Sequence, residues 1–232
     1  MPHTLLLLLK GPMQSWGDDS RYRQRTTGQV PTKSGVIGML AAALGRRRSD
    51  PLEDLAGLRF GVRVDQPGTL LKDFQTAFPE DASNPHLVTR YYLSDAVFVA
   101  AIESEDRAFL ENLESALKRP RYPLFLGRRS CPAPVNLVLG IRDEDLVHAL
   151  RKEEWHATER HRQARAERVV LPIHRDAMPG ERGVAHRDVP VSFAQEHRQY
   201  DWREVVQDEA GAPMDNPLAR SSDPFFEAVI RA

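Results

Sequence analysis

Residues 4–10, TLLLLLK, are followed by a polar loop and then by residues 34–45, SGVIGMLAAALG. The first stretch is a continuous apolar run stopped by Lys10-Gly11-Pro12. It lacks a basic leader and is too short for a signal peptide or a membrane span, so it reads as a buried central strand. The second stretch reads as a helix with Ser34 as its N-cap and Gly45 as its stop. Val36, Ile37, Leu40 and Leu44 share one face. The alanines and glycines elsewhere on the helix predict close packing against a sheet.

Working outward, residues 58–65 (LRFGVRVD) alternate, with Leu58, Phe60, Val62 and Val64 on one side, as in a half-buried strand. Residues 95–102 (DAVFVAAI) form another strand. Ser104 is the expected cap of a helix over 105–118, whose apolar stripe is Phe109, Leu110, Leu113 and Leu117. Pro120 blocks its continuation. Residues 135–141 (VNLVLGI) supply a fourth strand. The order β-α-β-β-α-β is the split-βαβ or ferredoxin-like pattern of an α+β fold.

Residues 66–94 are too many for a turn. Their flanks, 69–76 and 87–94, look strand-like around the tip PEDASNP. This predicts a projecting β-hairpin, a thumb. Leu70, Leu71, Phe74, Phe78, Leu87, Tyr91 and Tyr92 on such a hairpin predict a partner surface. Beyond residue 142 the periodicity weakens. Residues 144–168, with Trp155, are expected to be helical, 189–206 to hold a short strand, and the Pro-rich end from about 208 to be loose. The expected organisation is a palm over 1–142 and an irregular C-terminal extension over 143–232 that packs on it.

The composition is that of a globular protein, 41% hydrophobic and 28% charged, and excludes collagen, coiled-coil and disordered classes. The lone Cys131 allows no disulfide within the chain and suggests a reducing, cytoplasmic setting. The net charge of −1 hides an uneven distribution: residues 1–50 carry +5, 51–117 carry −7, 118–136 carry +5 and 137–232 carry −4. Two basic segments stand out against an acidic remainder, and such a patch determines partners more than the total does.

The first basic segment, GPMQSWGDDSRYRQRTTGQVPTKSGVIG, holds Arg21, Arg23, Arg25 and Lys33 interleaved with Trp16 and Tyr22. It ends at a helix start, where free N–H groups and the hydroxyls of Thr32 and Ser34 suit a phosphate. No Walker loop is present. The second, KRPRYPLFLGRRSCPAP, has five cations and no acid, with Tyr122 and Phe125 among them. Unneutralised arginines favour a bound polyanion, and Gly127 can bring backbone close to a phosphate beside Arg128, Arg129 and Ser130. Salt bridges from Arg128 and Arg129 to Asp73 or Asp95 are the alternative. The eight histidines show no metal-binding spacing, and no metal or other cofactor is expected. Tyr22, Lys33 and a histidine such as His186 supply the groups that 2′-hydroxyl chemistry needs in principle, and nothing in their spacing compels it. A small-molecule phosphate site at Ser34 is a third reading, which leaves the second segment unexplained.

The segments LLLLLKGPMQSWG, TTGQVPTKSGVIGMLAAALG and PRYPLFLGRRSCP resemble the Cas-five-type branch of the RAMP superfamily found in type I-E CRISPR Cascade complexes. TRYYLSDAVFVAAI and HRDVPVSFAQEHRQY are weaker echoes. The resemblance implies a ferredoxin-like (RRM-like) palm with a thumb. It also implies a non-catalytic subunit that holds the crRNA 5′ handle, meets a neighbouring backbone subunit through the thumb, sits beside the large subunit and reaches target DNA indirectly through the complex, with guide pairing reading the target sequence. A type I-C branch of the family cleaves its precursor RNA, which keeps a metal-independent endoribonuclease as the alternative. A single-stranded handle needs phosphate contacts and stacked bases. Arg21, Arg23, Arg25, Lys33, Arg128 and Arg129 are expected at phosphates, Trp16, Tyr22 and Tyr122 at base faces, and Gln14, Thr32, Ser34 and Ser130 at base edges or 2′-hydroxyls. No membrane partner is expected.

Overall fold

The computed structural model describes residues 1–17, 24–77, 86–194 and 196–220, apart from the side chains of residues 24, 25, 77 and 86. The leucine run becomes β1, His3–Lys10, in the interior of a sheet. Leu5, Leu7 and Leu9 face one core and Leu6 faces another, so both sides of the strand are covered. Each fully buried leucine contributes roughly 1.5–3 kcal/mol of transfer energy. Its neighbour β7, Val97–Ser104, alternates in the same way: Phe98, Ala100 and Ile102 face the first core, Val99 and Ala101 the second.

On the first face lie α1, Lys33–Leu44, and α3, Arg107–Lys118. The N-cap of α1 is Thr32 rather than the expected Ser34: its Oγ1 accepts from the Gly35 amide. The cap of α3 is Asp106 rather than Ser104, whose hydroxyl instead accepts from the Asp106 amide. Gly45 closes α1 in the left-handed region, at φ 81°, a conformation that favours glycine.

β4, Arg59–Gln66, pairs antiparallel with β7, and β8, Val138–Arg142, pairs antiparallel with β1. The strand order β4-β7-β1-β8 thus matches the β-α-β-β-α-β path read from the sequence. β4 differs from expectation in being buried on both faces. Arg63 and Asp65, on the side expected to meet solvent, are fully buried. All five guanidinium N–H groups of Arg63 are used: two on the Asp65 carboxylate and three on the carbonyls of Leu150, Glu153 and Glu154. Removing one partner from such a pair typically costs about 3–5 kcal/mol. The carbonyls come from the end of α4, Leu146–Lys152, and the turn after it, which cover this second face.

The largest correction lies beyond residue 142. The expected irregular extension contains β9, Arg168–Asp176, β10, Val184–Ser192, and β11, Gln199–Asp215. β9 pairs with β4, and the result is one seven-stranded antiparallel sheet, β10-β11-β9-β4-β7-β1-β8. The residues from 208 to 215, expected to be loose, are the second half of β11; residues 221–232 lie outside the described residues.

A second sheet holds the expected hairpin, β5, Thr69–Ala77, with β6, His86–Ser94; Phe78 and the tip lie outside the described residues. β6 also pairs with β2, Met13–Gln14, and β3, Gln24–Arg25, so the first basic loop is sewn to the base of the hairpin. The two remaining helices, α2, Glu53–Ala56, and α5, Glu159–Gln163, are short.

Candidate nucleic-acid interface

The first basic segment turns inward. Gln14 is fully buried; its amide donates to the carbonyls of Leu9 (2.9 Å) and Ala96 (2.8 Å) and accepts from the Trp16 indole N–H (3.0 Å). Trp16 is 1% exposed, and its ring lies so close to Gly35 that a Cβ there would come within 2.8 Å of it. Neither side chain can meet a base as the sequence suggested. Both lock the loop to the start of α1.

Lys33 and the helix start are also committed. Lys33 is 5% exposed and pairs with Asp176 at 3.2 Å. Its amide donates to Asp188 Oδ2 at 2.7 Å. Arg203 bridges the two acids, with bonds of 2.6 and 2.9 Å to Asp188 and 2.6 Å to Asp176. Burial lowers the Lys33 pKa against the pull of Asp176. Burial works against ionised Asp188 as well, but the Arg203 guanidinium prevails and holds its carboxyl below the usual range. Asp188 therefore occupies the position at the N-terminus of α1 that the sequence assigned to a phosphate. Ser34 is buried and Thr32 caps the helix, and both border the cavity between the two segments. Arg21, Arg23 and Tyr22 lie outside the described residues, as does the side chain of Arg25.

The second segment turns outward. Residues 126–131 form a tight loop: the Leu126 amide donates to Cys131 O (2.7 Å) and the Cys131 amide to Arg128 O (2.8 Å). Leu126 and Cys131 are buried, while Gly127, Arg129 and Ser130 are exposed. Gly127 sits at φ 84°, and a Cβ there would lie 1.7 Å from Ser15 O. Its close approach is thus to the backbone of the first segment, not to a phosphate. Arg128 is half-buried, donates to the carbonyls of Tyr91 and Thr26 (both 3.2 Å) and lies 4.9 Å from the Tyr92 ring centre. It braces hairpin, first loop and second segment against one another. Tyr92, expected on a partner surface, is 2% exposed and directed at Ser130 (3.4 Å). Tyr91 is half-buried, whereas Leu70, Leu71, Phe74 and Leu87 are exposed.

The two segments enclose a cavity of about 720 Å³. Its walls include Tyr122 and Arg129 from the second segment and the flank of α1 with Arg46, Arg47 and Arg48 beyond it. Phe193 and Arg198, from the connection between β10 and β11, and Tyr200, from β11, complete it. Arg46 is held by Asp54 and the Pro51 carbonyl. Arg47, Arg48, Arg129 and Arg198 are exposed and form no ion pair with any described residue. The sequence pointed to Tyr122 and Arg129 but not to the other arginines and rings of this wall. The run Arg46-Arg47-Arg48 lies within the first basic segment count, and Phe193, Arg198 and Tyr200 lie in the weaker motif HRDVPVSFAQEHRQY.

A groove of arginines and aromatic rings beside an antiparallel sheet is a nucleic-acid-binding arrangement. The family model described as CRISPR-associated protein (Cas_Cas5) matches residues 4–206, and the chain belongs to that family. The CRISPR system Cascade subunit CasD of Escherichia coli (strain K12) is 39% identical over 156 residues, 59% of this chain and 70% of that protein. A chain of a solved CRISPR RNA-guided surveillance complex superposes with a TM-score of 0.75 at 31% identity, covering 97% of this chain and 96% of its own. A solved structure described as a Cas protein gives 0.68 at 35% identity, covering 95% and 100%.

Proposed function

We propose that this chain is a crRNA-binding subunit of a Cascade-type CRISPR surveillance complex and holds the 5′ handle of the guide in the groove between the two basic segments. The observation that carries this reading is the cavity wall itself: exposed arginines 47, 48, 129 and 198, unpaired among the described residues, facing the same space as Tyr122 and Tyr200. Guanidinium groups suit phosphates, and the rings offer faces to splayed bases. The naming of the relative CasD as a Cascade subunit supports the assignment.

The strand order β4-β7-β1-β8 with two helices on one face supports a ferredoxin-like palm, and β5–β6 supports a thumb. The same reading divides the chain at residue 142 into palm and extension, although β9 carries the sheet across that boundary. The thumb meets the neighbouring backbone subunit through Leu70, Phe74 and Leu87, and the chain lies beside the large subunit. Its role is to hold RNA without cutting it. No helix among the described residues is long and apolar enough to cross a membrane.

Co-purification with the products of neighbouring genes, followed by sequencing of bound RNA, tests the reading. Guides sharing one 5′ end are expected; random cellular RNA would overturn it. Incubation with precursor repeat RNA in EDTA tests the non-catalytic part, and the RNA is expected to remain intact.

A further inference from the structure

A separate set of cations lies on the opposite face of the sheet. α5 and the residue two beyond it carry Arg160, Arg162 and Arg165, capped at the start by Thr158. Trp155 and Ala157, just before them, belong to the core on the α4 side, away from α1 and the groove. Arg220 is brought alongside: its amide and guanidinium both donate to Gln163, at 3.4 and 3.3 Å. Asn216 fixes this crossing by donating to the carbonyls of Arg162 (2.7 Å) and Ala166 (3.0 Å). Lys10, at the end of β1, reaches the same segment through the His156 carbonyl at 3.2 Å.

Arg160, Arg162, Arg165 and Arg220 form no ion pair with any described residue. Arg165 instead donates to a histidine, His161 Nε2, at 3.3 Å. The Nε–H of Arg162, whose guanidinium lies 5.4 Å from the Trp155 ring centre, is buried without a partner among the described residues. Positive groups gathered around one short helix repel one another, and an anion at the exposed guanidinium groups of Arg160, Arg165 and Arg220 relieves that repulsion.

We propose that α5 and Arg220 form a second phosphate-binding patch that takes a nucleic-acid backbone independently of the groove. The flat guanidinium fork matches phosphodiester oxygens, and a row of single cations without a pocket for bases predicts binding indifferent to sequence. Guide RNA and target DNA share this chemistry, and the test distinguishes them.

Three probes serve: rU24, dT24 and a 24-base-pair duplex of random sequence, titrated by fluorescence anisotropy across a range of salt. R160A/R165A is expected to reduce the log–log salt slope by about 1.4 on a single strand or about 1.8 on duplex, at about 0.7 and 0.9 per phosphate contact. Loss confined to rU24 assigns the patch to the guide; loss on duplex or dT24 assigns it to target DNA. R160K/R165K keeps the charge and is expected to restore the slope. Unchanged slopes on all three probes overturn the proposal, and so does a lysine variant as weak as the alanine one, because the effect would then be structural. A groove variant, R47A/R129A, should lose affinity additively with R160A/R165A; strict non-additivity would mean one shared site and also overturn it.

Discussion

The two basic segments look alike in sequence: each mixes cations with aromatic rings and a well-placed glycine. Their fates differ because of what the far end of the chain brings to them. Asp176 on β9 and Asp188 on β10 are delivered to the start of α1, where they neutralise Lys33 and take its amide. Arg203 on β11 completes the cluster. No described acid forms an ion pair with Arg129, nor with Arg47 and Arg48 across the cavity from it. A cation that finds a buried acid becomes a brace, and one that does not stays available for a ligand. The acids responsible lie more than a hundred residues away in sequence, so local composition cannot separate the two cases.

The largest expected effect tests the brace. Trp16→Ala should destabilise the protein by about 3–5 kcal/mol, the usual cost of emptying a large aromatic site in a core. Urea denaturation measures it. Unchanged stability with a selective loss of RNA affinity would make Trp16 a stacking residue after all and would collapse the contrast between the segments. Asp188→Asn comes next, at about 3 kcal/mol, because it leaves Arg203 buried and partly unpaired. Its pH dependence has a definite sign. Asp188 is held below its ordinary value in the folded state, so its stabilisation is fully present above the unfolded value near pH 4 and is lost as pH falls through the folded value. The penalty of Asp188→Asn should therefore be full at pH 7 and shrink below about pH 4.

The groove should respond in the opposite way. Arg47→Ala and Arg129→Ala are exposed changes that should alter stability by no more than about 0.5 kcal/mol. Each should weaken handle RNA about tenfold, equivalent to about 1.4 kcal/mol, and reduce the salt slope by about 0.7. Loss of stability without loss of binding would turn the second segment into another brace.

The first strands of the large sheet were legible because they follow simple rules. β1 and β7 are unbroken apolar runs, and α3 repeats leucine at helical spacing. The last three strands break those rules. β9 and β10 contain Pro172 and Pro190, and β9, β10 and β11 carry Arg175, Asp188 and Arg203 on half-buried or buried positions where apolar residues are expected. Each charge is tolerated because a partner elsewhere in the chain compensates it: Arg175 meets Glu181, in the connection after β9, at 2.6 and 2.8 Å, and Arg203 on β11 meets Asp188 on β10. A polar pattern with hidden pairing is indistinguishable from a solvated loop when only the sequence is read. The same blindness made Gln14 and Lys33 look like ligands. Arg129 and Tyr122 stay exposed at the cavity, and no described acid pairs with Arg129.

The hairpin divides along the same line, on a smaller scale. Tyr92 and Phe74 both lie on it, but Tyr92 is drawn to Ser130 and Arg128 at its base, whereas Phe74 is 55% exposed with Lys72 above its ring. A partner surface can be built only from the second kind. Phe74→Asp with Leu87→Asp should leave stability within about 0.5 kcal/mol and handle affinity unchanged, since neither side chain supports the core or the groove. Recovery of the neighbouring backbone subunit in a pull-down should nevertheless fall. Equal recovery would mean that the exposed face of β5 and β6 has no partner there, and that the hairpin serves only to carry Tyr92 and the Tyr91 carbonyl to Arg128. In that case the outward half of the hairpin, like the inward half, would be read as support for the groove.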